Sequence, residues 1–600
     1  MNIQKWTSLS ILDALRPDTG WKTDHAVFGS YSADPVALVA ILLALAGRDD
    51  ERGLGTAVDF AEAIEELRGK VCFLVQSGRI SVPFKSLTVL KVLDGFVREV
   101  NCDEAVESWH PKVALIRQSS ELDGNVSWRF WLGSRNFTRD RSWDAGLLLV
   151  GNVEAKGKPV TGLTETAKEL WSRAGLSRVE QNMKADELSR VHWIHPQGCK
   201  VEEIQFLLPQ MRERKLPAEP RRIESLLVVS PFLDGETIAK LGQWGTPKTH
   251  RTLLSTYRAL SGIAEQQREP LRNYFSTGDV LFMDAFDEDE ILAMTNTEEA
   301  SDETSDDADE DHIGLHAKLI LACRKSQSTL WLGSPNATKR AWEKNYEIVA
   351  RIAVNKDLTE ELIKFAKKAQ VFVAGDSKPE PISKEQEVID AAHKQVVSRW
   401  QVNQKDWTLY ADEAPHPDNP NIVLEVGILG SSLMQWPRQT KVMKLHRGSP
   451  PIETELVQIR ISYKNAERRW LQKAPLNPPP GVDRDRSAVA TLFKPSTFLK
   501  WLRTLLDDEL PPNGEPWDLD PGRKKEGTKL PQQLNERIFP TLEDVLKAWS
   551  RNPDILKVVD ARLKAYMDFI RTSSTEENKE LIQLKEFDEV WKIVRTELLK

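Results

Sequence analysis

Cysteine is scarce in this chain: 600 residues hold four, Cys72, Cys102, Cys199 and Cys323, and none stand at CxxC or zinc-finger spacing. That argues against a finger-type metal site and reads as buried thiols in a reducing compartment. Long apolar runs are missing as well. The longest, Val36 to Ala46, is too short for a bilayer, which takes about 20 residues. The opening Met1-Asn2-Ile3-Gln4-Lys5-Trp6 has no basic segment leading into an apolar one, so no secretory signal is expected. No cluster of carboxylates suggests a metal, and His192 and His195 have no nearby Cys or acidic ligands. The expectation is a cytoplasmic protein with no metal, no cofactor and no membrane contact.

A basic excess is also lacking, since the formal net charge is −8. Residues 287–311 carry thirteen Asp or Glu and no Lys or Arg, and without them the chain stands at +5. The body can therefore present basic surface to a polyanion, although the excess is small. The acidic stretch has few large apolar residues to offset its ordering entropy, which predicts a disordered insertion. By contrast, 40% apolar residues and 19 Trp supply real cores, and the length predicts roughly four domains.

The chain does contain an internal repeat. His110-Pro111-Lys112 followed by Trp131-Leu132-Gly133-Ser134-Arg135-Asn136 is matched by His316-Ala317-Lys318 followed by Trp331-Leu332-Gly333-Ser334-Pro335-Asn336. Trp131 and Trp331 differ by 200 positions, and so do Ser30-Tyr31-Ser32-Ala33-Asp34 and Ser230-Pro231-Phe232-Leu233-Asp234. Two anchors at one offset predict two similar halves about a pseudo-twofold axis, with one motif from each half meeting at the interface.

Short apolar runs bounded by turn-formers predict strands at 25–30, 71–76, 113–116, 127–132 and 146–150, and again at 225–231, 280–286, 319–322, 329–332 and 348–354. Helices fall between them, at 35–47 and 57–67 in the first half. Alternating β and α elements predict two α/β sandwich halves, 1–160 and 223–375, the second carrying the acidic insertion. Residues 161–222 read as a connector and 376–510 as a small β-rich domain, with an amphipathic helix at 495–507. Residues 511–600 read as a linker and a helical module.

The repeated residues are suited to a phosphodiester. In an H-x-K pair on a strand both side chains face one way, because strand side chains alternate, so imidazole and ammonium reach one phosphate together. The following Gly-Ser-x-Asn lets backbone approach a ligand and adds a hydroxyl, Ser134 or Ser334, and an amide. Lys112, Lys318, Asn136 and Asn336 would clamp developing charge. Two imidazoles, His110 and His316, are what a two-step phosphoryl transfer uses, one attacking and one protonating the leaving group. A Trp exposed near such a cleft would stack a base.

Over roughly residues 24–355 these motifs resemble the phospholipase D superfamily. That superfamily's common motif has Asp five residues after the Lys, where this chain has Arg117 and Cys323. The remaining H-x-K…N form is similar to the tyrosyl-DNA phosphodiesterase and nuclease-like branch. The resemblance implies a phosphohistidine intermediate, with His110 as nucleophile and His316 as acid and base, and carboxylates that orient the histidines, here Asp144 and Glu347. It further implies a metal-independent phosphodiesterase acting on nucleic acid, DNA foremost, and working with a helicase, ATPase or other subunit in bacterial defence against foreign DNA. The alternatives are a phospholipase or phosphatidyltransferase, and a catalytically silent DNA-binding subunit of a helicase or translocase complex.

The acidic run ends at Asp311, five residues before His316. A tethered polyanion at roughly millimolar effective concentration competes with nucleic acid even when its own affinity is weak. Deleting residues 287–311 should therefore tighten DNA binding most at low salt, the gain shrinking as salt screens both interactions. Equal affinity of the two forms across a salt series would leave the segment without a role at the site.

Overall fold

The computed structural model describes residues 11–49, 55–84, 87–139, 142–154, 156–211, 216–266, 268–283, 314–325, 327–373, 383–448, 451–507, 540–572 and 579–599. The acidic stretch 287–311 and the linker 511–531 lie outside them.

The first half contributes β1 (Trp21–Ser30), β2 (Val71–Gln76), β3 (Val97–Val100), β4 (Val113–Ser120), β5 (Val126–Gly133), the short β6 (Ser142–Trp143), β7 (Gly146–Val153) and β8 (Val191–Ile194). The second contributes β9 (Cys199–Leu207), β10 (Ser225–Val229), β11 (His250–Ser255), β12 (Asp279–Phe282), the short β13 (Gly314–Leu315), β14 (Leu319–Cys323), β15 (Ser328–Gly333), β16 (Glu347–Val354) and β17 (Gln370–Val371). Among the described residues the sheet orders are β3-β2-β1-β4-β5-β7-β8 and β17-β12-β11-β10-β14-β15-β16-β9. In each, three strands run parallel before an antiparallel step, β1 against β4 and β10 against β14. The repeat extends to register: Trp131 pairs with Ala114, and Trp331 with Ile320.

Strand alternation decides what each sheet face buries. Along β1, Ala26 and Phe28 pack with the helices Pro35–Leu45 and Ala57–Leu67, whereas Val27 points into a core shared by both halves. Along β10, Leu226 and Val228 face the second half's own helices, and Leu227 and Val229 enter the shared core. The shared core makes the two sheets one body. Its members include Trp109, Trp128, Trp171, Leu321 and Ile348. The helix Pro35–Leu45 starts where Asp34 accepts from the Val36 and Ala37 amides at 2.7 and 3.3 Å, with Pro35 in its first turn.

The stretch 161–222 does more than connect. After two helices, Leu163–Ala174 and Arg178–Leu188, it lays β8 on the edge of the first sheet and β9 on the edge of the second. The chain crosses between the sheets in a tight turn, closed by the Cys199 amide to the Pro196 carbonyl at 3.0 Å, with Gly198 at φ +80°. The four cysteines are free. Cys323 is buried, and Cys72, Cys102 and Cys199 are half-buried, not fully buried as a thiol reading alone suggested.

Beyond the halves, the helix Lys384–Arg399 packs on strands Val423–Ile428, Leu456–Tyr463 and Ala466–Lys473, next to a small sheet of Val402–Lys405, Thr408–Ala411 and Val442–Lys444. The helices Val482–Ala490 and Pro495–Asp507 join Leu542–Arg551, Asp554–Thr572 and Lys579–Leu598 in a helical module. This module covers Pro35–Leu45 and Ala57–Leu67 in one continuous core, which accounts for a helix apolar on all sides. At that contact Glu65 accepts from Arg486 at 3.2 Å and Arg562 at 3.1 Å, and Trp501 Nε1 donates to Glu62 at 3.0 Å.

Asp94 ties three regions together. Its buried carboxylate accepts from Thr454 Oγ1 and the Glu455 amide at 2.9 Å each, and from Arg484 at 2.8 and 2.5 Å. Asp94→Ala removes the bidentate partner of the nearly buried Arg484 guanidinium, which keeps of its carboxylate contacts only the Nε bond to Asp485 at 2.8 Å, and should cost about 3 kcal/mol. Urea unfolding checks this, and a loss under about 1 kcal/mol would mean the charge is compensated elsewhere.

Candidate active site

The two H-x-K segments were expected on strands; they lie in the extended leads into β4 and β14, which begin at Val113 and Leu319. The reason is their pairing. Just before each segment the chain hydrogen-bonds to the opposite half. Trp109 bridges Tyr346, with the His110 amide donating to the Tyr346 carbonyl at 3.0 Å and the Tyr346 amide to the Ser108 carbonyl at 2.8 Å. Symmetrically, β13 pairs with β6, and the His316 amide donates to the Trp143 carbonyl at 2.8 Å. The extended lead keeps the alternation that puts His and Lys on one side. Lys112 Nζ donates to the His110 carbonyl at 2.9 Å and Lys318 Nζ to the His316 carbonyl at 2.6 Å.

The side chains cross the interface too. His110 Nδ1 lies 3.0 Å from Glu347 Oε2, and His316 Nδ1 lies 2.8 Å from Asp144 Oδ1. Each half supplies an imidazole and receives a carboxylate. The serines hold these carboxylates. Ser134 Oγ donates to Asp144 Oδ1 at 2.8 Å while accepting the Ala145 amide at 2.9 Å. Ser334 Oγ donates to Glu347 while accepting the Ile348 amide at 2.9 Å. Both hydroxyls are buried and occupied, so the expectation that they reach phosphoryl oxygens gives way to a role in fixing the carboxylates. Asn136 and Asn336 differ from the serines, because each has a buried side-chain oxygen with no hydrogen-bond partner among the described residues.

Burial sets the electrostatics. It pushes both histidines down to about 4; the carboxylate partners oppose the shift and the lysines Lys112 and Lys318 reinforce it. Lys112, also buried, is lowered well below its ordinary value, chiefly by desolvation. Burial works against ionisation of Asp144, yet the hydrogen bond and charge of His316, with Arg135 and Lys318, hold it at about 2. Glu347 is likewise lowered against its burial, by His110 and Lys112. In a neutral imidazole whose Nδ1 faces a carboxylate, Nδ1 carries the proton and Nε2 keeps its lone pair.

Further residues surround His110 that the motifs did not announce. The Tyr31 ring sits 5.2 Å from the imidazole, and the Arg79 guanidinium lies over that ring at 4.9 Å. Arg79 grips Glu104 through two bonds, 2.7 and 2.5 Å. Gln76 accepts the Trp109 amide at 2.7 Å. The loop carrying Arg79 is held from outside the halves: His393 Nε2 meets the Gly78 carbonyl at 2.9 Å, and the Leu471 amide donates to the Ile80 carbonyl at 2.8 Å. Tyr31 stands inside the repeated Ser-to-Asp anchor but was not read from it as a site residue, and Arg79 had no local signal. Trp131 and Trp331 are buried in the outer cores, and Trp143 packs on Phe365 at 4.8 Å, so these are packing residues. His192 pairs with Glu154, and among the described residues no group of three or more His, Cys, Asp or Glu could hold a metal ion.

The two positions that depart from the common motif are engaged elsewhere. Arg117 binds Glu187 at 2.8 and 3.0 Å, and also Asp24. Cys323 is buried opposite Ser225.

A duplicated α/β fold whose halves pool two H-x-K…G-S-x-N motifs at one interface is the arrangement that the resemblance to the phospholipase D superfamily led us to expect. Solved structures similar to the chain include a mutant of yeast tyrosyl-DNA phosphodiesterase 1, over 60% of this chain and 88% of that one, at 12% identity and a TM-score of 0.34. Phosphatidylserine synthase of Haemophilus influenzae Rd KW20 is similar over 62% and 86% at 10% identity, TM-score 0.31. NucT from Helicobacter pylori is similar over 25% and 82% at 13% identity, TM-score 0.18. No protein-family model and no curated protein matches the sequence.

An unfolded imidazole takes up its proton near pH 6.5, whereas His110 and His316 hold out to about 4. The unfolded chain therefore binds more protons between these values. Stability from these sites is fully present above about pH 6.5 and is lost as pH falls to about 4. Ring NMR titration should place both near pH 4, with Glu347→Gln moving His110 lower still. Titration of either ring near 6.5 in the wild type would contradict the buried pairing.

Proposed function

We propose that the chain is a phosphodiesterase acting on nucleic acid, DNA foremost, through a phosphohistidine. The observation that carries this reading is the pair of imidazoles, each hydrogen-bonded to a carboxylate of the opposite half and each followed by a buried lysine. The Nε2 lone pair of His110 attacks phosphorus and forms a P–N bond. The P–O bond to the leaving group breaks, and its electron pair stays on the leaving oxygen, which takes the proton from His316 Nε2. In the second step His316 accepts a proton from water as the water oxygen attacks phosphorus. The P–N pair then returns to His110.

Both histidines are neutral in the free protein at pH 7; a bound phosphodiester anion raises the proton affinity of His316, which takes up a proton from solvent at Nε2 before it acts as acid. Lys112, Lys318, Asn136 and Asn336 hold the developing charge, the two amides through their Nδ2 donors. Arg117 and Cys323, engaged in structural contacts, support the nucleic-acid reading over the lipid one. No helix of the described residues is long and apolar enough to cross a membrane. The β-rich and helical regions are the places where a helicase, ATPase or other defence subunit would attach.

Cleavage of DNA or bis-p-nitrophenyl phosphate should persist in excess chelator, since lysines and amides do the work of cations in this scheme. Lys112→Ala and Lys318→Ala should each lower kcat about a hundredfold. His110→Ala should abolish turnover, and rapid quenching without acid should trap labelled phosphate on the peptide containing His110. A strict, reversible need for Mg²⁺, or inversion at phosphorus, would rule the scheme out.

A further inference from the structure

The two carboxylates of the site are not equivalent. Asp144 Oδ1 faces His316 Nδ1 and Ser134 Oγ, both at 2.8 Å, while its Oδ2 accepts from Arg135 Nη1 at 3.2 Å and Ser142 Oγ at 3.1 Å. Glu347 Oε2 faces His110 Nδ1 at 3.0 Å and Ser334 Oγ, while its Oε1 accepts from Asn345 Nδ2 at 3.2 Å. Apart from its histidine, Glu347 is hydrogen-bonded by a hydroxyl and an amide, and Asp144 by two hydroxyls and a guanidinium. The sequence repeat explains the difference. The 200-residue offset that aligns Ser134 with Ser334 sets Pro335 opposite Arg135, and proline has no donor to offer.

A carboxylate shared with a guanidinium holds an imidazolium proton less firmly than one that is not. The lysines near the histidines do not separate them, since His316 faces Lys318 and Lys112 and His110 the same two, and Arg79, over the Tyr31 ring beside His110, is paired with Glu104. Arg135 is the charge that belongs to one pair. It acts on Asp144, alongside His316 and Lys318, while the charges acting on Glu347 are those of His110 and Lys112.

We propose that Arg135 is a positioning residue that divides the labour between the histidines: by sharing Asp144 it makes His316 the readier proton donor, and it leaves His110, facing Glu347, as the nucleophile. The proposal rests on the phosphodiesterase reading and deepens it. In the first step the proton released by His316 Nε2 goes to the leaving oxygen as the P–O bond breaks. The positive charge removed from His316 leaves the Asp144–Arg135 pair internally neutral, so loss of the proton does not strand a buried carboxylate. Among the described residues no cation is hydrogen-bonded to Glu347, so His110 keeps a full anion behind its Nδ1–H and its Nε2 is the more electron-rich.

Arg135→Gln removes the charge and keeps a donor, and Arg135→Lys keeps the charge. In ring NMR titration of the full chain, Arg135→Gln should move His316 up by about one pH unit, roughly tenfold in proton affinity, and leave His110 within about 0.3 unit. Arg135→Lys should restore most of the wild-type value. In pH profiles of kcat, the limb set by His316 should move up with it. His316→Ala should recover on a p-nitrophenyl diester, whose leaving group needs no proton, whereas His110→Ala should not. An unmoved His316 titration in Arg135→Gln overturns the proposal even in a protein that cleaves nothing. Recovery of His110→Ala in place of His316→Ala overturns it in an active one. Shifted titrations without cleavage of any diester would instead uphold the role of Arg135 on the imidazole and reject the phosphodiesterase reading.

Discussion

The hydrogen bonds from each histidine to a carboxylate of the other half, His110 to Glu347 and His316 to Asp144, are the constraint on which this structure turns. An imidazole is a weak reagent unless its tautomer and direction are fixed, and burying a lone carboxylate is costly. Placing each against the other meets both needs, provided the two halves are held in register to a few tenths of an ångström. The backbone bridges of Trp109 with Tyr346 and of β13 with β6 supply that register next to the rings themselves. The shared core, with Trp109 in it, resists any sliding of the halves because close-packed interiors do not deform continuously.

The electrostatic character of the site follows from the same packing. Two buried lysines sit with two imidazoles, and burial favours the uncharged form of Lys112 and of both rings. An anion entering the site would favour the charged forms again, as the phosphodiester of the proposed reaction would. The serine hydroxyls are part of this arrangement. By donating to Asp144 and Glu347 they keep those anions turned toward the histidines.

Much of the fold was legible in the sequence because its signals are local. The apolar runs at 71–76 and 113–116 and the repeated Trp-Leu-Gly-Ser each report on a few adjacent residues. What escaped depends on distant partners. Asp144 and Glu347 were recognised as companions of the histidines, but they meet them across 172 and 237 residues, and nothing in either segment says which carboxylate serves which ring. Ala466–Lys473 is a strand written in charged residues, Ala-Glu-Arg-Arg-Trp-Leu-Gln-Lys, and its identity comes from its neighbour Leu456–Tyr463. The H-x-K segments looked like strand residues because extended backbone and strand share one alternation. Only the cross-half pairing distinguishes them.

The hold of the β-rich region on the loop after β2 bears on what counts as the smallest working piece of this chain. His393 and the Leu471 amide, both beyond residue 376, fix the carbonyls of Gly78 and Ile80, and Arg79 between them reaches Tyr31 beside His110. A fragment trimmed to the two motif-bearing halves would keep every letter of the repeat and lose the brace behind the residues beside His110. The boundary drawn by the motifs and the boundary drawn by mechanical support therefore fall in different places, and the second encloses more of the chain.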